Sequence, residues 1–203
     1  MSVLVNKAAP DFTAPVVTAD GQIIENFRLS QIWEGSSPRY TVLFFWPMDF
    51  TFVCPSEIIA HNNRIQKFRE LGVEVVGVSI DSVYTHFAWR NTPVEKGGIG
   101  PVEFTMVSDI RRDIMQNYGI EHADGVALRA TFLIDRQGIV QHQVVNNLPL
   151  GREVDEVIRV IEALQFSEEH GEVCPAGWRK GAKGMKADAA GVASYLAENA
   201  KSL

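Results

Sequence analysis

Cysteine is the rarest residue in this chain: two in 203 positions, Cys54 and Cys174, far apart. Two thiols so placed make neither a disulfide framework nor a zinc ligand set. No C-x-x-C pair occurs, so the chain lacks the motif that plain dithiol–disulfide exchange uses. Its histidines (His61, His86, His122, His142 and His170) are scattered without ligand spacing, and no metal site is expected. No run approaches the ~20 apolar residues of a membrane helix. Met1 to Lys7 has no sustained apolar core of the kind a signal peptide carries. The chain is therefore expected to be soluble and cytoplasmic. A net charge of −6 argues against nucleic acid or an anionic membrane as partner. Gly97-Gly98-Ile99-Gly100 does not lead a strand into a helix in the dinucleotide pattern, which excludes nucleotide binding there. Repeats and low-complexity segments are also missing.

What is present fits one α/β domain with a real core, plus an extension. Tyr40 to Trp46 is a bounded apolar run rich in β-branched and aromatic side chains, as in a strand buried on both faces. Pro47 stops it, because proline cannot donate to a sheet ladder. Met48 to Val53 reads as a loop, and Pro55 favours the first turn of a helix running to Leu71. Cys54 thus sits where a buried strand hands over to a helix N-terminus. A free thiol titrates near ~8.5, and helix amides with a nearby cation favour the nucleophilic thiolate. Thr51, three residues earlier, can offer its hydroxyl to the sulfur or to an oxygen substrate. The competing reading is an inert cysteine of the core.

Around this stretch, Phe12 to Val17 and Gln22 to Phe27 form a hairpin about Ala19-Asp20-Gly21. Leu29 to Trp33 reads as a helical turn with Ser30 as cap. Val73 to Ile80 is a second buried strand after the stop at Gly72, and Asp81-Ser82 caps a helix from Val83 to Asn91. Thr92 to Pro101 is loop, Phe104 to Val107 a strand, and a helix follows from Asp109 to Tyr118. Ala130 to Ile134 and Ile139 to Val145 form a hairpin. Val154, Val157, Ile158, Ile161 and Leu164 share one face of an amphipathic helix. Strands alternating with helices predict a mixed sheet covered on both faces. From Ser167 glycines interrupt the chain and Lys180 to Lys186 is basic. The expected division is a domain over 1–166 and an arm over 167–203, ending in a helix from about Val192 to Asn199.

The motif Pro47-x-x-x-Thr51-x-x-Cys54, within F-F-W-P-M-D-F-T-F-V-C-P, resembles the active-site signature of the peroxiredoxins. Val173-Cys174-Pro175 resembles the resolving-cysteine segment of the typical two-cysteine branch, and nearly the whole chain is similar to the bacterial alkyl hydroperoxide reductase type. The resemblance implies a thioredoxin-like (peroxiredoxin) fold of the α/β class, with a central mixed sheet flanked by helices and a C-terminal arm swapped between dimer partners. It implies Cys54 as the nucleophile toward hydrogen peroxide and organic hydroperoxides, Cys174 as the resolving thiol of a partner chain, and an intersubunit Cys54–Cys174 disulfide.

By the same resemblance Arg129 flanks the nucleophile, Thr51 serves the peroxide oxygens and Pro47 shields the thiolate. Glu57 bridges Arg129 to a second arginine, Arg152. On the residues alone, Arg129 reads more readily as a surface ion pair, and Glu57 as an acid favoured in any first helical turn. No metal, haem, flavin or other cofactor is implied. The implied partners are thioredoxin or a flavoprotein disulfide reductase, and a homodimer that can assemble into rings. Alternatives from other classes are a redox-switched holdase chaperone and a thiol–disulfide oxidoreductase. Gly97 to Gly100 resembles the loop tied to over-oxidation, and Tyr195-Leu196 stands where a Tyr-Phe pair is usual, which implies intermediate sensitivity.

Overall fold

The structure, a computed structural model, describes residues 3–201 and 203; Met1 and Ser2 of the N-terminal stretch weighed above lie outside them. The chain divides into two compact units, Met1–Val154 and Asp155–Leu203. The first holds seven strands: β1 Thr13–Val17, β2 Ile23–Arg28, β3 Tyr40–Phe45, β4 Val73–Ser79, β5 Thr105–Ser108, β6 Arg129–Ile134 and β7 Val140–Asn146. They form one sheet in the order β2-β1-β5-β4-β3-β6-β7. β3, β4 and β5 run parallel, and β1, β2, β6 and β7 join antiparallel. The expected mixed sheet is thus observed, with β3 and β4 at its centre.

Every residue of β3 is buried, and its alternation divides two cores. Leu43 and Phe45 join the cluster with Val76, Val78, Phe132 and Tyr118. Phe44 and Trp46 face the other side, where Phe44 meets His61 and Phe104 ring to ring. Gly77 makes that side possible: a Cβ there would lie 2.6 Å from the Trp46 ring and 2.9 Å from the Phe44 ring.

Five helices lie in or enter from this unit: α1 Gln31–Glu34, α2 Cys54–Asn62, α3 Ile65–Glu70, α4 Val83–Arg90 and α5 Asp113–Asn117. The single helix expected from Pro55 to Leu71 is two. At Arg64 the backbone leaves helical angles (φ −110, ψ 8), and its N–H bonds to His61 O at 3.1 Å. The apolar spacing of Ile58, His61, Ile65 and Phe68 runs through the break, so periodicity alone reads as continuous. The helix expected from Asp109 also starts later. The Asp109 carboxylate instead caps α5 from outside, accepting from Ile114 N at 3.0 Å and Met115 N at 2.8 Å.

Ser30 precedes α1 but makes no side-chain cap bond, and its buried hydroxyl has no partner among the described residues. Ser82 does cap α4, accepting from Thr85 N at 3.2 Å. The loop after Thr92 contains one 3₁₀ turn, Val94–Lys96, and Trp89 Nε1 donates to Gly97 O at 3.0 Å.

The second unit is built on α6, Val154–His170, with α7, Ala189–Asn199, at its end. α6 runs beyond residue 166, so the composition change at Ser167 falls inside a helix. Between the two helices the chain is irregular but pinned. Val173 and Met185 exchange two backbone hydrogen bonds, each 2.9 Å. Arg159 donates to Trp178 O at 2.9 Å, and the buried Trp178 ring packs on Phe166. The polar arm therefore has one buried aromatic anchor that its composition did not announce. No helix among the described residues is long and apolar enough to cross a membrane.

Candidate active site

Sheet register places the parts. β3 and β6 are antiparallel, with Phe44 opposite Thr131, so Arg129 at the start of β6 stands beside the end of β3 where the Pro47–Val53 loop begins. That loop returns the chain to Cys54, the first residue of α2, fully buried. Pro47 is buried where the loop opens, and Thr51 is half-buried.

The Cys54 sulfur has two polar neighbours. The Thr51 hydroxyl lies 2.9 Å from Sγ and 2.7 Å from Met48 O. It has one proton, so it donates to one of them at a time. Arg129 Nη1 donates toward Sγ at 3.3 Å and to Glu57 Oε2 at 2.8 Å, while its Nε donates to Leu148 O at 2.6 Å. The guanidinium is thus fixed in a plane before any substrate arrives.

Glu57 is the hub of this arrangement. Its carboxylate takes the Arg129 bond, two from Arg152 Nε and Nη2 at 2.8 and 3.0 Å, and one from Arg152 N at 2.9 Å. Burial pushes its pKa up, but the Arg152 hydrogen bonds and charge, with Arg129, outweigh that and hold it below the usual carboxylate value. Arg152 also donates to Ala130 O and lies over the Phe44 ring at 5.6 Å. Two buried arginines against one glutamate leave a net positive charge beside the sulfur. All three side chains are at most 4% exposed, so water screens that charge weakly.

His61 was missed as a member of this group. One turn after Glu57, it stacks on Phe44 (4.1 Å, 6°) and donates from Nδ1 to Glu57 O at 2.7 Å. Its Nε2 has no partner among the described residues. Burial, then the Arg152 charge, push its pKa down to about 4, so it is neutral at pH 7. The i, i+4 spacing of Glu57 and His61 was the available signal. Leu148 O, a backbone acceptor, had none.

Five of the residues singled out from sequence, Thr51, Cys54, Glu57, Arg129 and Arg152, are therefore one connected group, and Pro47 opens the loop that carries Thr51 and leads to Cys54. Cys174 belongs to the second unit. It is half-buried, its thiol donates to Ala163 O at 3.3 Å, and burial raises its pKa while Arg159 partly offsets the rise. No group of three or more potential metal ligands occurs among the described residues. A cavity of about 410 Å³ lies at the other end of β4, and its charged residues pair with each other, Arg39 with Glu74 and Arg69 with Glu103.

Fold and site together define a thioredoxin-like scaffold carrying one buried thiol beside a fixed cation. Comparison with known proteins gives the family. The AhpC/TSA family matches residues 5–143, and the C-terminal domain of 1-Cys peroxiredoxin matches residues 163–198. The chain is 56% identical to alkyl hydroperoxide reductase C of Helicobacter pylori, covering 97% of this chain and 98% of that protein. It is 50% identical to peroxiredoxin-2 of Cricetulus griseus, covering 90% and 89%. The reduced 2-Cys peroxiredoxin of Plasmodium vivax superposes with a TM-score of 0.92 at 48% identity, covering 97% of this chain and all of that one. The chain belongs to the AhpC/TSA family of peroxiredoxins.

Proposed function

We propose that this peroxiredoxin reduces hydrogen peroxide and organic hydroperoxides by the following steps. The Cys54 thiolate attacks one peroxide oxygen, and the O–O bond breaks. The other oxygen leaves as alkoxide or hydroxide and takes a proton, while Cys54 becomes a sulfenic acid. Arg129 and the Thr51 hydroxyl align the oxygens and stabilise the charge that develops on the leaving one. Pro47 keeps water from the sulfur. Cys174 of a partner chain then attacks the sulfenic sulfur, expelling water and leaving a Cys54–Cys174 disulfide. A dithiol protein, thioredoxin or a flavoprotein disulfide reductase, takes the disulfide back to two thiols. In this reading residues 1–166 are the peroxidase domain, 167–203 the resolving arm, the working unit a head-to-tail dimer able to form rings, and the compartment the cytoplasm.

The observation that carries this is Arg129 Nη1 at 3.3 Å from the Cys54 sulfur, locked there by Glu57. The test compares peroxide consumption by wild type, Cys54→Ser and Cys174→Ser, with thioredoxin and with small thiols. Cys54→Ser should be inactive with either reductant. Cys174→Ser should lose the thioredoxin-dependent rate and keep the small-thiol rate. Peroxide-treated wild type that stays monomeric on a non-reducing gel would sink the intersubunit disulfide.

A further inference from the structure

Asp49 and His86 are buried, charged in type, and not used by the chemistry above. Asp49 lies inside the catalytic loop, two residues before Thr51, and His86 is on α4. Both side chains are 0% exposed, and Asp49 Oδ2 lies 2.7 Å from His86 Nδ1. His86 Nε2 lies 3.1 Å from Val107 O on β5, and Trp46 Nε1 donates to Asp49 Oδ1 at 2.9 Å. Both imidazole nitrogens thus face acceptors. With Trp46 on the other carboxylate oxygen, every side-chain polar atom of the pair has a partner. Asp81 is the other titratable group facing it, raised by its own burial and by the Asp49 charge.

The pairing anchors the side chain of Asp49, whose own peptide plane is held at its N–H by Asp81. The Asp49 N–H donates to Asp81 Oδ2 at 2.8 Å, and Ser79 Oγ at the end of β4 donates to the same oxygen at 2.7 Å. The carbonyl of that same peptide unit belongs to Met48, and it is the group within 2.7 Å of the Thr51 hydroxyl. Because a peptide unit is rigid, fixing its N–H fixes its C=O. The next residue, Phe50, is held at φ 53, a left-handed conformation that strains a non-glycine residue and persists only when its surroundings over-determine it.

We propose that Asp49 and His86 are positioning residues for peroxide reduction. Their contact anchors Asp49 so that, with Asp81 on its N–H, the Met48–Asp49 peptide keeps the Thr51 hydroxyl between Met48 O and the Cys54 sulfur. Neither touches the reacting atoms. Their effect passes through the threonine. A hydroxyl displaced by about 1 Å loses on the order of a hundredfold in rate, which sets the scale.

The test separates alignment from thiol reactivity, using the full-length reduced protein. The rate constant of Cys54 with hydrogen peroxide is compared with its rate constant for alkylation by iodoacetamide, which needs the thiolate but no aligned O–O bond. Asp49→Ala and His86→Ala should lower the peroxide rate by about tenfold to a hundredfold and leave alkylation largely unchanged. Asp49→Asn keeps an acceptor for Trp46 and an N–H for His86 Nδ1, so it should restore the peroxide rate to within about threefold.

In a double-mutant cycle, Asp49→Ala should add little to Thr51→Val, because both remove the same alignment. If the alanine variants fail to fold, His86→Gln, which retains one of the two hydrogen bonds, is read the same way. Parallel falls in both rates, an unchanged peroxide rate in every folded variant, or full additivity with Thr51→Val would each overturn the assignment. The proposal rests on the peroxidase reading. Wild-type protein that consumes no peroxide defeats that reading, whereas those three outcomes defeat only this one.

Discussion

Cys54 is fully buried at the first position of a helix, with a guanidinium 3.3 Å away and a hydroxyl at 2.9 Å. Cys174 is half-buried in an irregular segment, and its thiol donates to a helix carbonyl. The first sulfur is faced by two donor groups, whereas the second donates its own proton to a carbonyl, which favours the thiol. Beside Cys54 stands a positive charge that cannot turn away. At Cys174 burial raises the pKa and Arg159 partly offsets the rise, while also serving the backbone of Trp178 and the Glu156 carboxylate. In the proposed mechanism the first cysteine reacts in place, whereas the second rests with its thiol bonded to α6.

The comparison is broken most directly by removing the anchor of the first site. Glu57→Gln deletes the charge that neutralises Arg129 and Arg152, both buried beside it. Loss of one partner from a buried ion network costs about 3–5 kcal/mol. Chemical denaturation should show that loss, with a large fall in peroxide rate, and no change in the alkylation of Cys174. Arg129→Met is the next largest. It keeps the stem and removes the cation, and the peroxide rate constant should fall about 10²–10³-fold, as when a preorganised donor to developing negative charge is lost. A fall below threefold would mean that the guanidinium 3.3 Å from the sulfur is structural only.

Much of this first region can be read from the chain. Tyr40 to Trp46 is apolar without interruption because both faces of β3 are covered, and Pro47 marks its end. A cysteine one residue before a proline at a helix start is a local pattern. Its partners are not local. Arg129 stands 75 residues from Cys54, and residue type alone favoured a surface ion pair until register placed it beside the end of β3. Asp49 and His86 are 37 positions apart, and no spacing rule links them. The break at Arg64 is hidden because the buried face continues across it, and Asp109 misleads because it caps α5 from four residues ahead. Sequence periodicity reports which side faces the core. It is blind to where a hydrogen-bond ladder stops.

Acid sharpens the contrast, since the first site has two groups that report on pH. His61 has a folded pKa of about 4 against an ordinary 6.5. Between those values the unfolded chain binds a proton that the folded one refuses, so stability is full above about 6.5 and is lost as pH falls toward 4. The loss by pH 4.5 should be about 2–3 kcal/mol. Glu57, whose folded pKa is depressed, acts in the same direction lower down: its contribution holds above about 4.5 and fades below it. Denaturation curves at pH 7 and 4.5 for wild type and His61→Phe test this. The variant keeps the stack on Phe44 and should lose most of the first slope. Equal slopes in the two proteins would place the acid sensitivity elsewhere.

The smallest effect is expected at the second cysteine, where the sign is informative. Arg159→Met removes the one charge that favours the Cys174 thiolate, and with it the hydrogen bond to Trp178 O. The two losses oppose each other. A weaker cation lowers the thiolate fraction, whereas a looser segment frees the sulfur. Because the nucleophile is the thiolate, the charge should dominate near pH 7, and disulfide formation in a peroxide pulse should slow by about two- to fivefold. The deficit should then shrink as pH rises past the raised Cys174 pKa, where both proteins approach full ionisation. A variant that forms the disulfide faster at pH 7 would show instead that release from α6 limits resolution, so that the contacts at Ala163 and Trp178 control that step rather than the proton on Cys174.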